Sequence, residues 1–296
     1  MKSLGRQPAL PADAITVTAY EELDLYVGKV VDRALDLLLI IGRHGTGKSE
    51  QVRKMLDVDT AGERGVLYVE GHAQPFGIYH GLWLHRDRPV VLDDVDKLYA
   101  NPDCVRILKL LCDTRPVKRI SWLTNATVNG IGPPPAFETT SPVILIANEW
   151  RTLNANVRSL EDRAIIVHFD PSNESVHRRA GTWCEDMEVY TFIGAHLASV
   201  PAVSMRWYAK AQKLREAGFS EWRTLLLQMM LADRDLAVVA SLLVDTAFHN
   251  DQQRVGAFND RTGKSRATYY RLKKRLAASF KTVRLTNGVA SDSVGE

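Results

Sequence analysis

Cysteine is scarce in this chain. Only Cys104, Cys112 and Cys184 occur, an odd number with no C-x-x-C spacing, which leaves no basis for a disulfide framework or a zinc site. Long hydrophobic runs are missing as well. None approaches the ~20 apolar residues that cross a bilayer, so no membrane partner is expected. The opening stretch, MKSLGRQPALPADAITV, has neither the continuous apolar core nor the small-residue cleavage site of a signal peptide. A reducing cytoplasm is the location these absences predict. Excess charge is also small, +3 over 296 residues, and a composition 45% hydrophobic and 25% charged is that of a soluble globular protein able to bury a core.

The charge is unevenly placed. Asn250 to Arg284 holds ten Lys and Arg against Asp251 and Asp260, a net of +8, so the rest of the chain carries −5. A mildly acidic body with a basic C-terminal end points to a nucleic-acid contact there.

The chain is organised around DLLLIIGRHGTGKS, residues 36–49. An apolar strand empties into a glycine-rich loop that fits the P-loop pattern G-x-x-x-x-G-K-[ST]. Phosphate oxygens concentrate negative charge, and backbone N–H groups at a helix N-terminus form a stiff cradle for them. Gly42, Arg43, His44, Gly45, Thr46, Gly47, Lys48, Ser49 and Glu50 are therefore the expected nucleotide-binding residues. Lys48 would neutralise the β- and γ-phosphates, Ser49 would hold Mg²⁺, and a helix from Ser49 to Leu56 would face the nucleotide with its positive end. Among the histidines, His44 and His168 are expected to be structural or solvent-facing.

Before the loop, residues 1–18 read as a flexible arm. Thr18 and Glu21 read as a capping box for a helix over about 19–34. After it come a strand at Gly65–Glu70, a loop at 71–77 (GHAQPFG), and PVVLDDVDKLY at 89–99. A carboxylate at that strand's end can complete the Mg²⁺ shell opposite Ser49, and a second can polarise an attacking water. Asp93 is assigned to the metal and Asp94 to the water. Pro102–Asp113 reads as a helix, 120–124 as a strand, 125–140 as an exposed Gly- and Pro-rich loop, and 141–150 as a buried strand. That last strand ends in Asn148, where a polar group faces the γ-phosphate region of an open parallel sheet.

In this order the elements resemble the AAA+ branch of P-loop ATPases: GRHGTGKS is similar to Walker A, VVLDDVD to Walker B, and VILIAN with Asn148 to the sensor 1 strand. The resemblance spans roughly residues 19–231. NVRSLEDRAIIVHFDP at 156–171 is similar to the family's arginine-finger segment, with Arg163 the best match and Arg158 the alternative. Such a finger reaches the ATP of a neighbouring subunit, so the resemblance implies a homo-oligomer, a hexameric ring or open spiral. Helical spacing over about 185–197, 204–217 and 221–231 resembles the family's lid, with Ser204 as N-cap and Arg206 in the place of the sensor 2 arginine. The implied fold is a three-layer α/β core with a parallel sheet (19–171), a helical lid (172–233) and a small helical module (234–285), with a flexible tail from 286. The catalytic set implied is Lys48, Asp93, Asp94, Asn148, Arg163 and Arg206, acting on ATP with Mg²⁺.

The basic end carries a helix over 234–250, a second over 251–260, Gly263 suited to a left-handed helix end, and Ser265 suited to the next N-cap. Helix, tight turn and basic helix resemble a helix-turn-helix. DNA is the expected partner, through Lys264, Ser265, Arg266, Thr268, Tyr269, Arg271, Lys273, Lys274 and Arg275. Tyr269, Leu272 and Leu276 share one stripe of that helix. This order resembles that of several replication initiators, origin-recognition proteins and Holliday-junction motors, which carry a winged-helix or helix-turn-helix module after an AAA+ core. It implies a DNA-remodelling ATPase of a phage or mobile element that works with a helicase or another replication or recombination protein. Two rivals are a slowly hydrolysing ATP-gated switch, favoured by Asp94 standing where glutamate is usual, and a protein remodeller gripping its client through the 71–77 loop.

Overall fold

The runs LLLII, VVLD and VILIA are buried at every position, as strands covered by helices on both faces must be. The computed structural model describes residues 10–58, 65–95, 101–123, 125–128, 130, 132–149, 160, 162–231, 233–245 and 247–286. The chain divides into two compact units, Met1–Pro171 and Ser172–Glu296.

The first unit is a six-stranded sheet. Its strands are β1 (Ile15–Val17), β2 (Leu37–Ile41), β3 (Leu67–Glu70), β4 (Val90–Asp93), β7 (Val143–Ala147) and β8 (Ile165–Phe169), in the order β1-β8-β2-β7-β4-β3. Every pairing is parallel. Side chains alternate between faces. Leu37, Leu39, Ile41, Val90, Leu92, Val143 and Leu145 join one core with Ile78, Tyr79 and Leu82 of α3 (Pro75–Leu84) and Ile107, Leu108 and Leu111 of α4 (Pro102–Leu111). On the other face lie α1 (Tyr20–Val31) and α2 (Lys48–Met55), where Tyr20 meets Phe169 edge-on at 5.2 Å. The result is a three-layer α/β core.

Several expectations needed revision. Residues 15–17, read as part of the arm, pair with β8 and so belong to the sheet. The α1 cap lies one residue later than Thr18: Ala19 is the N-cap, and the Glu22 carboxylate accepts from the Thr18 and Ala19 N–H groups. The 71–77 loop is shorter, because Pro75 and Phe76 already lie in the first turn of α3. The loop expected over 125–140 ends in a strand. β5 (Lys118–Ser121) pairs antiparallel with β6 (Ala136–Thr139) as a separate two-stranded sheet, packed on α3 through the rings of Tyr79, Trp122 and Phe137. Lys118 is fully buried there and donates from Nζ to the Ser141 carbonyl at 2.7 Å.

The second unit is helical. α5 (Asn173–Ala180), capped by the Ser172 side chain, precedes the helices expected from the sequence; its buried Val176 and Ala180 stand at i, i+4. It is followed by α6 (Met187–Gly194), α7 (Met205–Glu216), α8 (Trp222–Met230), α9 (Arg234–Val244), α10 (Asp251–Thr262) and α11 (Arg266–Thr286). One hydrophobic core runs from Val176 to Leu276 and includes Leu236, Val239 and Leu242 of α9. The helices read as a lid and those read as a separate module therefore share their interior.

Candidate functional site

Three loops leave one edge of the sheet together. Ile41 pairs with Ala147 and Asp93 with Ile146, so the chain exits at Gly42, Asp94 and Asn148 side by side. In a parallel α/β sheet this carboxyl edge is where ligands bind. The glycine loop owes its path to two positions. A Cβ on Gly42 would stand 2.2 Å from the Phe169 carbonyl oxygen, so any side chain would push the loop off β8. Gly47, at φ 83°, is the left-handed N-cap from which α2 starts. Thr46 is fully buried. Its hydroxyl donates to the Arg43 carbonyl at 3.0 Å, and its own carbonyl accepts from the Tyr20 hydroxyl at 2.6 Å. Arg43 donates to the Pro171 carbonyl at 2.6 Å, and its buried Nε has no partner among the described residues.

Lys48 is 5% exposed. Its ammonium donates to the carbonyls of Gly42 (2.6 Å) and Arg43 (2.9 Å) and to Oδ1 of Asn148 (3.2 Å). Asn148 in turn donates from Nδ2 to the Asp94 carboxylate at 3.0 Å. Lys48, Asn148 and Asp94 thus form one hydrogen-bonded chain across three loops. Asp94 reaches Asn148 from a left-handed backbone, φ 51°, which aspartate tolerates better than most residues. Asp93 is buried, and its Oδ2 accepts from the Tyr68 hydroxyl at 2.7 Å. Burial first, and then that hydrogen bond and the carboxylate's charge, hold the Tyr68 phenol far above its ordinary pKa.

The donor set fits a nucleotide with its cation. A loop with no room for a Cβ and a buried ammonium resting on loop carbonyls are what a phosphate chain requires. Among the described residues no three His, Cys, Asp or Glu side chains could hold a metal by themselves. No hydrogen bond joins Ser49 to Asp93 there either, so a cation between them needs phosphate oxygens and water, as Mg²⁺ commonly uses. Ser49 is half-buried, and His44 and Glu50 are exposed at the loop surface.

The remaining expected residues lie elsewhere. Arg163 is exposed and precedes β8, and its charge acts on Cys112 and Asp113. Leu38 pairs with Ile165, so Arg163 sits at the entry end of the sheet, roughly 13 Å or more from Gly42 at ~3.3 Å per residue. It does not join its own chain's loop. Arg158 lies outside the described residues. Arg206 is exposed in the first turn of α7, where Ser204 caps its N–H at 3.3 Å.

At the basic end, Gly263 has φ 67° and the Ser265 hydroxyl accepts from the Thr268 N–H. Tyr269, expected as a DNA contact, is corrected: it is fully buried against Phe258 and donates to Asp251. Lys264 pairs with Asp235, Lys273 with Asp251, and Arg275 with Asp233 at 3.0 Å.

Sequence reasoning missed Tyr68, Tyr20 and Arg53. Tyr68 pairs with Val91, so Asp93 is its diagonal same-face neighbour, a relation visible only once the strands are in register. Arg53 of α2 lies 4.9 Å from the Tyr68 ring centre and links α2 to the same residue.

No family model matches this chain. It is 26% identical over 108 residues to an uncharacterized 36.7 kDa protein from the nrdC-mobD intergenic region of Enterobacteria phage T4, covering 36% of this chain and a third of that relative's length. Among solved structures it is similar to a RuvB variant of Thermotoga maritima, with 12% identity, 83% of each chain covered and a TM-score of 0.45. It is also similar to Drosophila ORC bound to DNA, with 16% identity, 99% of this chain and 84% of that one covered, and a TM-score of 0.40.

Proposed function

We propose that this chain is an AAA+-type ATPase that couples ATP hydrolysis to remodelling of DNA or a nucleoprotein, in the replication or recombination of a phage or mobile element. The observation that carries the reading is the chain Lys48–Asn148–Asp94 at the carboxyl edge of a parallel sheet, beside a loop that admits only glycine at 42. Bound ATP supplies the phosphoanhydride to be cleaved, and Ser49 and Asp93 would hold Mg²⁺, which would offset the phosphates' charge. Lys48 exchanges its loop carbonyls for phosphate oxygens. Asn148 and Asp94 orient the attacking water, Asp94 accepting its proton. Arg163 serves the site of a neighbouring subunit in a homo-oligomer, a hexameric ring or open spiral, since it stands at the far end of its own sheet. Arg206 serves as the sensor 2 arginine that contacts the γ-phosphate, and the helices at 234–286 hold DNA.

The test is steady-state ATPase activity with no DNA, single-stranded DNA or duplex DNA, beside Lys48→Ala. Turnover that rises with DNA and vanishes in the variant supports a motor or loader. Tight ATP binding with turnover no faster than Lys48→Ala overturns it in favour of a nucleotide-gated switch. One observation leans toward the switch: the short Asp94 carboxylate is already engaged by Asn148.

A further inference from the structure

The basic helix α11 and the turn before it have cations of two kinds. Lys264, Lys273 and Arg275 are bound to the carboxylates of Asp235, Asp251 and Asp233. Those acids sit at the N-termini of α9 and α10, where the Asp233 side chain also caps the N–H groups of residues 235 and 236. Lys273 foremost holds the Asp251 carboxyl below its usual range. Asp233 is lowered first by the capping hydrogen bond from Leu236, with Arg275 adding to it. These three cations are ties between helices, and their charge is compensated locally.

Arg266, Arg271 and Lys274 differ. All three are exposed, and none has a carboxylate partner among the described residues. At ~100° per residue, Arg266, Tyr270 and Lys274 follow one another at i, i+4 and i+8, with Arg271 alongside, on the face opposite the buried stripe of Tyr269, Leu272 and Leu276. Tyr270 is itself 38% exposed. The Arg266 guanidinium stands 5.5 Å from its ring centre, and the ring meets Tyr269 edge-on at 5.3 Å. A buried tyrosine thus fixes an exposed one, and the exposed one fixes an arginine. The row covers about 12 Å of helix, the axial rise of three to four nucleotides at ~3.4 Å each.

We infer that Arg266, Arg271 and Lys274, with Tyr270 holding Arg266 in place, form the surface of α11 that contacts the sugar-phosphate backbone of nucleic acid, and that Lys264, Lys273 and Arg275 do not. The inference rests on the DNA-binding part of the function proposed above. It narrows that part to one face and removes Lys264, Lys273 and Arg275 from it. Guanidinium and ammonium groups free of internal carboxylates release phosphate counterions on binding. Groups already paired must give up a carboxylate first, which leaves them less to gain from a phosphate.

The experiment measures binding of the full chain to a fluorescent 20-base-pair duplex, and to one of its strands alone, across a salt series. Each phosphate contact contributes a slope of about −0.9 in log K against log salt for duplex and about −0.7 for a single strand. The triple variant Arg266→Gln/Arg271→Gln/Lys274→Gln should flatten the duplex slope by about 2.7. The charge-neutral variant Lys273→Gln/Asp251→Asn should keep the wild-type slope while lowering the melting temperature. Circular dichroism checks that both are folded. If wild type binds and the neutral variant flattens the slope while the triple variant does not, the face is wrong and DNA binding stands. If wild type binds neither nucleic acid, DNA binding itself fails and this inference with it. A larger loss on duplex than on single strand assigns the face to duplex, and the reverse to single strand, either supporting the assignment.

Discussion

Replacing Tyr68 by Phe removes one oxygen and leaves the ring to pack against Arg53. The lost bond, 2.7 Å to Oδ2 of Asp93, has a carboxylate acceptor that is only 4% exposed. Hydrogen bonds to charged groups contribute roughly 1.5–3 kcal/mol. Tyr68 is half-buried, so water can partly replace the lost donor, and about 1–2 kcal/mol is expected. For a unit of this size that is a fall in melting temperature of roughly 2–8 °C. The cost should depend on the carboxylate. In an Asp93→Asn background the same substitution removes a bond to a neutral amide, so it should cost about 1 kcal/mol less, a coupling readable in a double-mutant cycle. Urea unfolding of the four proteins, followed on the transition of the first unit, provides the assay. Additive effects, or a Tyr68→Phe protein within 0.3 kcal/mol of wild type, would show that Asp93 is not held by this phenol.

Gly42→Ala would place a Cβ 2.2 Å from the Phe169 carbonyl oxygen. Nucleotide binding, read by a fluorescent ATP analogue, should weaken at least tenfold, and unchanged affinity would mean the loop is not held against β8. In the second unit, burial lowers the pKa of both His177 and His196 below 6.5. Their native state favours the neutral ring, so the stability they contribute is complete above about pH 6.5 and is lost as pH falls through the lower folded values; a melting temperature equal at pH 7.5 and 5.0 would contradict this. Arg163→Ala should reduce hydrolysis by roughly 10³-fold or more, as loss of an arginine finger does. Mixing it with Lys48→Ala should restore activity at interfaces that join an intact Lys48 to an intact Arg163, whereas mixtures as inactive as either parent would place Arg163 outside catalysis.

The central strands and the loop were legible because both are local. LLLII, VVLD and VILIA announce burial on two faces, and GRHGTGKS carries its own turn chemistry, so Gly42, Lys48, Asp93, Asp94 and Asn148 could be named before any contact was known. What required the fold was pairing at a distance. AFET alternates with period two, yet the glycines and prolines ahead of it argue for a loop, and only the partner strand at 118–121 makes it β6. Tyr68 is an unremarked strand tyrosine until β3 aligns with β4 and sets it diagonally to Asp93. The basic helix shows the same limit from the other side. Its charge is plain in the sequence, but which charges are already neutralised depends on acids 22 to 42 residues away. A count of lysines and arginines therefore overstates what that helix can offer a phosphate backbone. Subtracting the cations held by Asp233, Asp235 and Asp251 leaves Arg266, Arg271 and Lys274 as the cations of residues 264–276 that can meet a phosphate backbone.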